Sequence, residues 1–153
     1  MGLGCVSFLL SGVRANGPAY TTFEYTALEA AVSATPGPTK GQTIVGGPAD
    51  LFAPIGTVTV HVHNTGKVRG AEVAQLYIGY PDSAPSTPPK QLRGFDKVNL
   101  EPCASAAATF ELTRRDISYW DVVQQKWVVP AGTFEVFVGS SSRDIRLTES
   151  FSV

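Results

Sequence analysis

From Ile55 onward the chain alternates between apolar and polar residues. Val58, Val60 and Val62 stand between Thr57, Thr59, His61 and His63, a period of two that gives a strand one buried and one polar face. Asn64-Thr65-Gly66 then marks a turn. Glu72–Tyr80 reads as a second strand, with Val73, Gln75 and Tyr77 on one face and Ala74, Leu76 and Ile78 on the other. A shorter strand is expected over Leu92–Leu100. After the turn Leu100-Glu101-Pro102, alternation returns through Ala108, Phe110 and Leu112. Thr133–Gly139 places Phe134, Val136 and Val138 on one face, and Ile145, Leu147 and Phe151 close the pattern.

The intervals between these runs are punctuated. Pro81–Pro89 and Pro130-Ala131-Gly132 are turn chemistry, and Thr113-Arg114-Arg115-Asp116 resembles a capped helical turn. Further upstream, Phe23 and Tyr25 alternate with polar residues, which suits a strand. Ala27–Val32 could equally pass for a helical turn, and strand is the preferred reading. Thr35–Pro54 is rich in Pro and Gly and reads as a loop, long for the interior of a domain. Short strands at this spacing, without βαβ alternation or an internal repeat, predict an all-β, antiparallel immunoglobulin-like sandwich.

Composition narrows the function classes. Of 153 residues, 43% are hydrophobic and only 16% charged, and 12 Lys plus Arg oppose 13 Asp plus Glu for a net charge of −1. That balance argues against a nucleic-acid or anionic-membrane partner. No apolar run reaches the roughly 18 residues of a membrane helix. Cys5 and Cys103 form neither a redox pair nor a ligand cluster. Residues 1–19 fit no element. Leu3–Leu10 is mostly apolar but lacks a basic flank, which argues against a signal peptide and leaves a truncated or misassembled start as the competing reading.

Several groups invite a chemical reading. Asp116 and Asp121 flank Tyr119-Trp120, yet capping and turn formation account for both. His61 and His63 share a strand face at a spacing that can serve a metal, but no third ligand is evident. Lys90, Arg93, Arg114 and Arg115 are too dispersed for an anion patch. Tyr119, Trp120 and Trp127 either offer a sugar an aromatic platform or fill the core and cover its end. No cofactor motif is present, and no pair of carboxylates lies in a recognisable nucleophile motif.

Longer stretches carry a resemblance. Tyr20–Tyr25, Val60–Tyr80, Pro89-Lys90-Gln91-Leu92-Arg93-Gly94-Phe95-Asp96-Lys97-Val98, Arg115–Asp121 and Gly132–Asp144 occur in one order. Together they resemble the C-terminal fibronectin type III-like domain of family 3 glycoside hydrolases, chiefly fungal β-glucosidases, over most of residues 20–153. The resemblance implies a non-catalytic module, present as a fragment or truncated gene product. Its partners would be the catalytic domains of an extracellular parent enzyme, which would hydrolyse terminal β-D-glucosyl residues during cellulose or glucoside breakdown. A free-standing carbohydrate-binding module that engages polysaccharide is the rival. Cys103 stands where the family usually has Gly; if that turn needs a positive φ, the substitution costs about 1 kcal/mol.

Overall fold

Twelve strands, two short 3-10 turns and no longer helix make up the computed structural model, which describes residues 21–85 and 87–153. The expectations for residues 1–19, with Cys5, and for Tyr20 lie outside that range. In chain order the strands are β1 (Phe23–Val32), β2 (Gly37–Pro38), β3 (Thr43–Ile44), β4 (Gly47–Pro48), β5 (Pro54–Asn64) and β6 (Gly70–Gly79). They continue with β7 (Gln91–Leu100), β8 (Ser105–Thr113), β9 (Tyr119–Asp121), β10 (Lys126–Val129), β11 (Thr133–Ser141) and β12 (Asp144–Ser152).

The long strands form two antiparallel sheets, β1-β5-β8 and β12-β11-β6-β7. Their inner faces are those the alternation selects. Val58, Val60 and Val62 of β5 meet Ala74, Leu76 and Ile78 of β6 and Phe134, Val136 and Val138 of β11, all buried. Full burial of each larger side chain contributes about 1.5–3 kcal/mol. Phe134 stacks on Phe151 with centroids 5.2 Å apart and takes Tyr80 edge-on at 5.4 Å. Gly94 on β7 leaves room for Phe110 of the facing sheet, whose ring lies 3.0 Å from where a Cβ would stand. The open sides close where β1 runs beside β12 and β7 beside β8. The result is an antiparallel β-sandwich, as the alternation predicts.

The ambiguous segment from Ala27 to Val32 is strand. It pairs with β5 through a bulge between Thr26 and Glu29, with Ala27 at φ 50°. The bulge explains the mixed pattern, because it breaks the period of two. The Pro/Gly-rich stretch 35–54 is more built than its composition suggests. It supplies β2, β3, β4 and a 3-10 turn over Ala49–Phe52, whose Leu51 is buried. The Arg114 guanidinium donates to the Gly37 carbonyl at 2.9 Å, and the Arg114 N–H to the Ala53 carbonyl at 3.0 Å, fixing both ends of the stretch.

Candidate functional site

The hairpin β9–β10 is set by Asp121. One carboxylate oxygen accepts the N–H groups of Val123 (2.8 Å) and Gln124 (3.0 Å), and Gln125 completes the turn at φ 53°. The Gln124 N–H chiefly holds this carboxyl below the usual carboxylate range, against slight desolvation and with help from Val123. The register places Trp120 opposite Trp127. Their rings meet edge to face, with centroids 5.7 Å apart. Trp120 remains 44% exposed and Trp127 is half-buried. Tyr119 pairs with Val128 and, one residue along, faces the other side of the hairpin. Of the three aromatic candidates the structure therefore joins two and separates the third.

The opposing wall comes from the Pro/Gly-rich stretch. β2 pairs with β10, and the Thr39 N–H donates to the Trp127 carbonyl at 2.9 Å. Asp50 then receives the N–H groups of Lys40 (2.8 Å) and Gly41 (3.0 Å). Burial opposes charge on Asp50, but these donors outweigh it and keep its pKa low. A Cβ at Gly41 would lie 2.6 Å from an Asp50 oxygen, so the clamp requires glycine. Between the walls lies an open cleft of about 450 Å³, lined by Trp120, Trp127, Gln125 and Lys126 on one side and by Lys40 and Thr43 on the other. Sequence patterning misses this wall, since strands of two residues carry no periodicity.

A second surface stands out on the outer face of the four-stranded sheet. Val73 and Tyr77 of β6, Phe95 and Leu92 of β7 and Phe137 of β11 share that face by register. Phe95 is 72% and Leu92 50% exposed. Lys90 covers the Phe137 ring at 4.9 Å.

The other candidates hold structural positions. Asp116 accepts from the Thr113 N–H (2.7 Å) and hydroxyl (2.8 Å), capping the 3-10 turn Arg114–Ile117. His63 meets the Ser105 hydroxyl at 2.8 Å, and His61 is exposed on the same outer face. Among the described residues no group of three or more His, Cys, Asp or Glu is placed to hold a metal ion. Arg93 donates to the Tyr80 hydroxyl at 2.8 Å, and Arg115 is exposed. Cys103 is exposed at φ 62°, the left-handed conformation that a glycine would accept without strain.

The profile of the fibronectin type III-like domain matches residues 72–142, from β6 to the end of β11. The fold is a fibronectin type III-like β-sandwich. Relatives extend the match through the strands before it. The chain is 74% identical over 137 residues to a probable β-glucosidase L of Emericella nidulans, covering 90% of this chain and 19% of that protein. Among solved structures, the β-D-glucoside glucohydrolase of Trichoderma reesei superposes with a TM-score of 0.86 at 60% identity, covering 88% of this chain and 19% of that one. A family 3 β-glucosidase of Bifidobacterium adolescentis follows the same fold at 31% identity, with a TM-score of 0.71, over 88% of this chain and 17% of that one. The chain thus spans about a fifth of the length of the curated relatives it matches.

Proposed function

We propose that this chain is a non-catalytic module of a family 3 β-glucosidase, which packs against the catalytic domains of the same polypeptide and stabilises them. In that setting the whole enzyme would act outside the cell on terminal β-D-glucosyl groups of cellulose fragments or other β-glucosides. The observation that carries the reading is the outer sheet face with Phe95 and Leu92 largely exposed. Exposed apolar clusters on a sheet face mark a contact that another surface covers. A sandwich with its own filled core can present such a face without losing its fold.

The test is a hybrid enzyme. This chain replaces the matching segment of the Emericella nidulans relative, to which it is 74% identical. The hybrid is expected to hydrolyse a chromogenic β-glucoside, and this chain alone is expected not to. The double variant Phe95→Ser and Leu92→Ser is expected to lower the hybrid's thermal inactivation temperature while leaving the melting temperature of the isolated chain unchanged. A hybrid indifferent to the double variant, or turnover by the isolated chain, would sink the reading.

A further inference from the structure

The packing role leaves the tryptophan cleft without a task. Tryptophan is seldom left open to water, because its large apolar face gains from cover. Here Trp120 is 44% exposed at the mouth of a cleft. Its position is not a loose side-chain excursion. The hairpin register sets Trp120 against Trp127, the edge-to-face contact holds the ring, and Asp121 fixes the turn. The facing wall is also held, by the Asp50 clamp on Lys40 and Gly41 and by the pairing of β2 with β10. A preformed cleft loses little entropy when it binds.

The lining has a definite chemistry. It offers one flat aromatic surface, the donors of Lys40 and Lys126, the amide of Gln125 and the hydroxyl of Thr43. A pyranose ring with equatorial hydroxyls has the complementary form, with apolar C–H faces and a polar rim of hydroxyl groups. The volume, about 450 Å³, lies within the roughly 300–1,000 Å³ of small-molecule sites. At the tips of the two hairpins that supply the walls, Val45, Val122 and Val123 are exposed. The open form of the cleft favours a chain of sugars, whose neighbouring rings can extend beyond it, over a single enclosed ring.

We propose that the cleft between the β9–β10 and β3–β4 hairpins binds a β-linked glucosyl chain, with Trp120 as the platform for one sugar ring and Lys40, Lys126 and Gln125 donating to its hydroxyls. The choice of glucosyl over other pyranosyl chains rests on the β-glucosidase reading above; the site itself rests on the cleft. Binding is weak, because a single open platform buries only part of a ligand.

The experiment uses a convenience of the sequence. Trp120 and Trp127 are the only tryptophans, so intrinsic tryptophan emission reports this cleft alone. Titration of the intact chain with cellopentaose is expected to shift that emission saturably at millimolar concentrations. Trp120→Ala, followed by calorimetry, is expected to weaken binding about tenfold or more in a chain that still unfolds cooperatively in urea. Lys126→Ala, at an exposed rim position, is expected to weaken it by a smaller factor and serves should the first variant unfold. Phe95→Ser, on the outer sheet face, is expected to leave binding intact. No response to cellopentaose at millimolar concentration, or undiminished binding by a folded Trp120→Ala chain, overturns the proposal. Preference for mannopentaose over cellopentaose overturns the glucosyl assignment. The hybrid enzyme reads the other face of the molecule, so its failure and the failure of this site are separate results.

Discussion

Asn64 shows how much one residue can carry. The sequence marks it as a turn former, and the structure buries it completely at the end of β5. Its amide donates to the carbonyls of Val68 (2.9 Å) and Leu100 (3.0 Å) and accepts from the Thr21 hydroxyl (2.6 Å) and the Gly66 N–H (3.0 Å). That is a full complement for an amide side chain. Asn64→Ala strands two buried partners, the Thr21 hydroxyl and the Leu100 carbonyl, each costing about 1–3 kcal/mol, so a loss of at least about 2 kcal/mol is expected in urea unfolding. Cys103 lies close by, and its N–H donates to the Asn64 carbonyl at 3.0 Å. Its φ of 62° strains any side chain with a Cβ. Cys103→Gly is expected to stabilise the chain by about 1 kcal/mol, less what the looser unfolded glycine gives back, measured in the same way. The first effect was hidden in the sequence, because an Asn-Thr-Gly turn reads alike whether exposed or buried. The second was visible there as a departure from a familiar turn.

Elements are tied together by a polar cluster that spacing could not reveal. Tyr25 of β1 donates its hydroxyl to Glu72 of β6 at 2.8 Å. Arg146 of β12 lies over the Tyr25 ring, 5.8 Å from its centroid, and pairs with Asp144 at 2.8 Å. Burial pushes the Tyr25 hydroxyl up, and the neighbouring Glu72 adds to the effect. Burial also raises Glu72, outweighing the Tyr25 hydrogen bond and the Arg146 charge that favour its ionised form. Asp144 moves the other way, held low chiefly by its hydrogen bond from Arg146. A carboxyl raised on folding contributes stability below its unfolded pKa and loses it as pH rises through the folded value. Asp144, depressed on folding, contributes above its unfolded pKa and loses its share in acid. Glu72→Gln keeps an acceptor for Tyr25 and removes the titration. The stability of the variant relative to the parent chain is expected to rise between about pH 4 and about pH 7, since Asp144 titrates in both. Urea unfolding at the two pH values checks this, and a flat difference would remove Glu72 from the account. At this scale the strands themselves were readable because each buries one face. The pairing of Tyr25 with Glu72 was not, since it depends on how the two sheets face each other.

For the molecule as a whole, two surfaces look outward on different terms. The outer sheet face of Phe95 and Leu92 belongs to the sandwich itself, and the hybrid enzyme tests its cover. The tryptophan cleft belongs to the additions at the sandwich's margin, and sugar titration tests its occupancy. The amino-acid sequence determined the sandwich, because a period of two commits each strand to a buried face and leaves few ways to satisfy it. It also determined the resemblance to family 3 β-glucosidases, because several motifs stand in one order. Only the tertiary structure decided that Trp120 and Trp127 meet while Tyr119 turns away, since that follows from hairpin register. Only the structure, too, showed the stretch from Thr35 to Pro54 as a wall. Its strands are too short for any pattern, and what orders them is the local Asp50 clamp together with pairing to β10 and the hold of Arg114, the last two made across long sequence separations.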